Sequence, residues 1–228
     1  MQADNRSENR SWLAKVMAFF FHHLYHTFAG AYDLVAYIVS LGQWRNWVTG
    51  IIPYITGRRV LEIGFGPGNL QVALNRVGNL SVFGLDESPQ MARLAVRRLR
   101  GAHTIESVKI VRSRVEQMPF ADSSFESVVA TFPTPYIVQP ETIAQVRRVL
   151  SPGGRLVVLL AARHTRNTLP ARMAEWLFAV TGQAPPEPDT MHRLTEVFGQ
   201  SGLDASIHWE NTASGKLLLL IVEKPKSE

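Results

Sequence analysis

Three glycines stand at alternate positions in Val60-Leu61-Glu62-Ile63-Gly64-Phe65-Gly66-Pro67-Gly68-Asn69-Leu70, between a run that reads as a strand and one that reads as a helix. Glycine lets a backbone turn sharply and approach a ligand closely. One or two glycines suit any tight strand-to-helix turn, whereas three at this spacing point to a bound molecule. The dinucleotide fingerprint G-x-G-x-x-G is not met, because Asn69 occupies the place of its last glycine and Gly68 comes one position early, so NAD is disfavoured. A second strand-like run ends in Asp86, and in a doubly wound sheet the ends of the first two strands meet at one crevice. A carboxylate there can accept both hydroxyls of a ribose, or cap the helix that opens at Ser88-Pro89. Neither element carries a phosphate-binding lysine, and a nucleoside without phosphates fits best.

A second group of reactive side chains lies upstream: His22, His23, Tyr25, His26, Tyr32 and Asp33. These can take or give a proton, or they can pack between helices. On a helix His22 and His26 share a face at i and i+4, the spacing of a metal pair, but no third ligand accompanies them and no metal is expected. Thr131-Phe132-Pro133-Thr134-Pro135-Tyr136 follows the fourth predicted strand, where Tyr136 can line an acceptor pocket or the two prolines can simply stiffen a loop. Arg93, Arg97, Arg98 and Arg100 are expected on the face of their helix opposite Met91, Leu94, Ala95 and Leu99. Such a face is either solvated or meets anionic lipid or RNA. No aromatics interleave with these arginines, so RNA ranks last.

The elements that position these residues alternate in type. Strands are expected at 60–63, 81–86, 108–111, 127–131 and 154–161, with helices at 69–77, 89–100, 140–150, about 169–181 and near 190–200. Ser206 to Glu210 and Leu217 to Val222, around Ala213-Ser214-Gly215, read as a hairpin. That alternation argues a parallel sheet covered on both faces. Pro140 suits the first turn of its helix, and Ser151-Pro152-Gly153-Gly154 stops it. Residues 11–57 differ from the rest: they hold 11 of the 21 aromatics and a single acid, Asp33. The expected division is therefore an N-terminal helical extension or substrate lid at 1–57 and a ligand-binding domain at 58–228. Leu169, Met173, Trp176, Leu177, Phe178 and Val180 give the 169–181 helix more apolar surface than one core-facing stripe needs.

The absence of cysteine excludes disulfides, thiolate nucleophiles and zinc-thiolate sites. A net charge of +5 permits an anionic partner without demanding one. The apolar stretch Val16 to Phe21 is interrupted by His22 and His23, too short to span a bilayer, and bulky residues follow it where a signal peptide would carry small ones. A cytoplasmic location follows by default, with peripheral membrane contact open. Nothing sets the oligomeric state.

Taken together, the stretch from about Gly57 to the C-terminus resembles the class I S-adenosylmethionine-dependent methyltransferases. Their first motif is similar to Val60 to Leu70, their second to Val82-Phe83-Gly84-Leu85-Asp86 with Met91, and their later motifs to Met118-Pro119-Phe120 with Ser124-Phe125-Glu126 and to Val149-Leu150-Ser151-Pro152-Gly153-Gly154. The resemblance implies an α/β fold with a doubly wound, Rossmann-like, seven-stranded and mostly parallel sheet, its last strand antiparallel, under an N-terminal helical cap. It implies S-adenosyl-L-methionine as cofactor, with Glu62 anchoring the methionine end, Gly64, Phe65, Gly66 and Gly68 lining it, Asp86 on the ribose and Met91 on adenine. Glu87, Arg114, Val115 and Thr131 complete the implied cofactor site. One turn departs from the family: Gly-Asp-Ala is usual, and Ser113-Arg114-Val115 stands here. Arginine thus replaces the acid that often holds the adenine amino group, leaving that task to backbone groups or Gln117.

In the extension, Phe28-Ala29-Gly30-Ala31-Tyr32-Asp33-Leu34, Ser40-Leu41-Gly42 and Trp44-Arg45-Asn46-Trp47 are similar to the opening of the ubiquinone/menaquinone C-methyltransferases and, more loosely, of bacterial phosphatidylethanolamine N-methyltransferases. That implies a small apolar or amphiphilic acceptor, a quinol precursor or another lipid-like molecule. Tyr32, His26 and Asp33 are then the candidate catalytic residues. The competing expectations are a catalytically weak cofactor-binding protein that acts as an interaction module, and a methyltransferase of an unrelated small metabolite.

Overall fold

The computed structural model describes residues 40–133, 135–164, 186 and 188–226. Within them, β1 (Arg59–Ile63), β2 (Ser81–Asp86), β3 (Val108–Arg112), β4 (Phe125–Thr131), β5 (Leu150–Arg163), β6 (Asp204–Thr212) and β7 (Gly215–Glu223) form one sheet in the order β3-β2-β1-β4-β5-β7-β6. The first five strands pair in parallel, and β7 runs antiparallel to both β5 and β6. The order reverses beside β1, which pairs with β2 on one side and β4 on the other, so their carboxyl ends part to leave a crevice.

The central strands are buried on both faces, as parallel strands must be when helices cover each side. Helices α1 (Trp44–Thr49), α2 (Asn69–Arg76) and α3 (Pro89–Gly101) serve one face; α4 (Pro140–Val149) and α5 (Pro188–Gln200) serve the other. Leu70, Val72, Leu74 and Leu99 meet Val60, Val82 and Val129 on the first face, and Ile143, Val146 and Phe198 meet Leu61, Ile63 and Val128 on the second. Proline opens α3 and α4, where its missing N–H costs nothing, and Ser88 Oγ accepts the Met91 N–H to cap α3.

The described part of the extension is built into this core. Trp47 and Ile51 are fully buried and Val48 nearly so, packed with Leu217 and Leu219 of β7. Trp47 Nε1 donates to the Ser214 carbonyl in the β6–β7 turn, and Ser40 Oγ accepts the Trp44 N–H at the start of α1. The predicted helix at 169–181 lies outside the described residues, as do His22, His23, Tyr25, His26, Tyr32 and Asp33. No helix among the described residues is long and apolar enough to cross a membrane.

Candidate cofactor site

The turn leaving β1 has all three of its glycines at positive φ: 67° at Gly64, 53° at Gly66 and 82° at Gly68. Space adds a second requirement at two of them. A Cβ on Gly64 would stand 2.7 Å from Tyr136 Oη, and one on Gly68 would stand 3.0 Å from the Ala95 Cβ, where α2 crosses α3. Small residues thus hold the start of α2 against the sheet, and the three glycine N–H groups tie the turn together by donating to the Leu85 carbonyl, Asp86 Oδ2 and the Phe65 carbonyl.

Asp86 closes this turn from the neighbouring strand. Its Oδ2 accepts the Gly66 N–H and its Oδ1 the Ser88 N–H, both at 2.8 Å, so it fixes the residue that caps α3 and clamps the glycine turn at once. Each oxygen retains a lone pair, and a ribose diol can meet the same carboxylate. Burial raises its pKa, opposed by the two N–H donors.

Glu62 lies at the end of β1 and is 1% exposed. Burial pushes its carboxyl well above the usual carboxylate range; the Gln71 amide, donating to Oε2 at 2.7 Å, works against that, and the charge of Asp86 adds to it. Gln71 is fully buried on α2, and its Oε1 has no hydrogen-bond partner. Gly84 makes room for it, since a Cβ there would lie 3.0 Å from Gln71 Nε2 and 2.9 Å from Phe65. A buried acid that burial holds in its neutral form until a cation meets it, a carboxylate pair of oxygens and a glycine cradle suit a ligand with an ammonium group at one end and a ribose further on.

Glu62, Gly64, Phe65, Gly66, Gly68 and Asp86 therefore converge. Thr131 ends β4 beside them, and Tyr136, on the 3-10 turn Pro135–Val138, donates to the Ile63 carbonyl at 3.5 Å. Glu87 is exposed next to Asp86, while Met91 has no exposed surface. Val115 is buried after β3, and the Arg114 side chain turns to solvent, 68% exposed and 3.5 Å from Glu116.

Two residues of this neighbourhood escaped the sequence reading. Gln71 is one; its hint was a polar residue set among Leu70, Val72 and Leu74. Arg98 is the other and corrects the expected solvated face: it is partly buried and its guanidinium donates to the Pro67 carbonyl at 2.6 Å, gripping the glycine turn from α3. Among the described residues no three His, Asp or Glu side chains come together as a metal site would need.

A family model described as a methyltransferase domain matches residues 60–154. The chain carries a class I S-adenosylmethionine-dependent methyltransferase domain, and S-adenosylmethionine is the cofactor of that domain. A relative from Geotalea daltonii, the ubiquinone/menaquinone biosynthesis C-methyltransferase UbiE, is 29% identical over 142 residues, 60% of each chain. The chain thus spans less than two thirds of the length of that relative. In fold it is similar to a Methanococcus maripaludis protein assigned to the S-adenosyl-L-methionine-dependent methyltransferases (TM-score 0.66, 19% identity, 88% of this chain and 93% of that one). It is also similar to the geranyl diphosphate C-methyltransferase of Streptomyces coelicolor, solved with S-adenosyl-L-homocysteine (TM-score 0.59, 15% identity, 78% and 74%).

Proposed function

We propose that the protein transfers a methyl group from S-adenosylmethionine to a small apolar or amphiphilic acceptor of the quinol-precursor type. The observation that carries the reading is the convergence of buried Glu62, the Gly64 to Gly68 turn and Asp86 on one crevice. The relation to a quinone-pathway C-methyltransferase ranks the acceptor. In this reading Glu62 meets the cofactor ammonium, the glycine turn lets the amino-acid end lie against backbone, and Asp86 takes the ribose hydroxyls. Phe65, Glu87, Met91, Arg114, Val115 and Thr131 surround the rest of the cofactor, with backbone or Gln117 at the adenine edge. The bound cofactor supplies a methyl on a sulfonium, already activated, so the protein's task is to align the acceptor and exclude water. The part of the extension before Ser40 acts as a lid in which Tyr32 touches the acceptor and His26 or Asp33 takes a proton, while Trp47 and Ile51 anchor the rest of it in the core. The location is cytoplasmic, with peripheral membrane contact. The exposed Arg114 favours a second reading, a cofactor-binding module without turnover.

Incubation with cofactor tritiated on the methyl group and a lipid extract separates the two. Label in a quinone-type fraction is expected. Cofactor binding with no label in any fraction would establish the second reading, and label in a polar metabolite alone would overturn the acceptor class.

A further inference from the structure

Three helices on one side of the sheet carry charge of a single sign, with Glu87 and Glu106 in the turns on either side of α3. Helices α1, α2 and α3 together hold Arg45, Arg76, Arg93, Arg97, Arg98 and Arg100 and neither aspartate nor glutamate. The opposite face is mixed: Glu141 accompanies Arg147 and Arg148 on α4, and Asp189 and Glu196 accompany Arg193 on α5. Arg98 is committed to the Pro67 carbonyl, but Arg45, Arg76, Arg93, Arg97 and Arg100 are exposed. Arg45, Arg76 and Arg98 line one open recess of about 260 Å³ where the three helices meet.

An independent observation falls on the same layer. The exposed large aliphatic side chains among the described residues are Leu41, 44% exposed just before α1, and Val77, 51% exposed just after Arg76. Guanidinium groups pair with phosphate oxygens through planar forks. Aliphatic side chains beside them suit an acyl boundary, whereas nucleic acid bases call for aromatic platforms. The rings of α1 do not offer one: Trp44 is stacked on Phe132 at 4.5 Å and Trp47 is in the core.

We propose that the α1-α2-α3 face docks on an anionic lipid bilayer, its exposed arginines on headgroup phosphates and Leu41 and Val77 at the acyl boundary. Docking there holds the chain at the surface in which such an acceptor dissolves, and in that respect the inference rests on the acceptor class proposed above. Apart from Arg98, the charge lies on the exposed surface of the helices, so it can be reversed there without touching the glycine turn.

The test is co-sedimentation of the full chain with vesicles of phosphatidylcholine alone and of phosphatidylcholine mixed with phosphatidylglycerol. Binding to the mixed vesicles only, weakening as salt rises, is expected. Each basic residue near an anionic surface contributes about fivefold, so R76E/R97E should lose roughly 25-fold or more. V77S should weaken binding while leaving its salt dependence unchanged. Cofactor affinity of each variant, measured by calorimetry, reports that it is folded. Equal binding to both vesicle types, or R76E/R97E binding like the wild type, overturns the proposal. Saturable binding of inorganic phosphate without vesicle binding, or tighter binding of single-stranded RNA than of anionic vesicles, does so as well. Methylation of a detergent-dispersed quinol precursor by R76E/R97E at the wild-type rate is expected, and it keeps the two readings apart. Charge-dependent docking without methylation removes the acceptor class alone, and methylation without charge-dependent docking removes the docking alone.

Discussion

A carboxyl group shut away from water is cheapest in its neutral form, and Glu62 is such a group. With its native pKa raised above the unfolded value, the native state holds the proton more tightly. Stability of the cofactor-free protein therefore falls as pH rises from the ordinary carboxylate range through that raised value. Glu62→Gln removes the titration, so its melting temperature should decline less than that of the wild type across this window; parallel curves would contradict the assignment. A cofactor ammonium reverses the preference, and binding inside the window should release a proton, visible as a calorimetric heat that varies with the buffer's ionisation enthalpy. At Asp86 two hydrogen bonds to ribose, each about 1.5–3 kcal/mol when charged, are at stake. Asp86→Ala should lower cofactor affinity at least tenfold, and an unchanged dissociation constant would remove Asp86 from the site.

At the scale of elements, the glycine turn is held from both neighbours, by Asp86 of β2 and Arg98 of α3. Arg98→Met keeps an unbranched apolar stem but releases the Pro67 carbonyl, and the expected result is a several-fold loss of cofactor affinity with the melting temperature little changed. Much of this layer can be read locally: β2 runs from Ser81 to Asp86 as its apolar pattern predicts, because both its faces are buried and turns bound it. What escapes depends on distant partners. β5 begins at Leu150, not 154, because Gly153 donates to the Lys224 carbonyl and Lys224 back to that of Gly154, so a stretch that reads as a stop is paired into the sheet. Likewise a helical wheel places Arg98 relative to its own axis and says nothing of the turn beside it. Gln71, spaced like any surface polar residue, is hidden because Glu62 gives it a partner. The cofactor motifs announce themselves through glycine and acid spacing, while the acceptor side rests on residues outside the described ones.

For the molecule as a whole, the extension divides at Ser40. Its described part is core: Trp47→Ala would open a cavity against β7 and leave the Ser214 carbonyl unpaired, at about 3–5 kcal/mol, read as a lower urea midpoint. Removal of residues 1–39 is expected to abolish methyl transfer while cofactor affinity stays within a few-fold, measured on the truncated and full chains side by side. Full-rate transfer by the truncated chain would refute the lid. The insertion of β7 between β5 and β6 also has a temporal meaning. Trp47 and its partner Ser214 are separated by 167 residues, so at common synthesis rates the tryptophan emerges roughly 8–33 s before the hairpin that covers it. For the last part of that interval, roughly 3–10 s after Arg163 has emerged, β5 has an open edge, and the apolar run Leu217 to Val222 is still to come. Nascent chains halted before Gly215 should thus be cut readily by protease near Trp47, and the cleavage should vanish once β7 has cleared the ribosome.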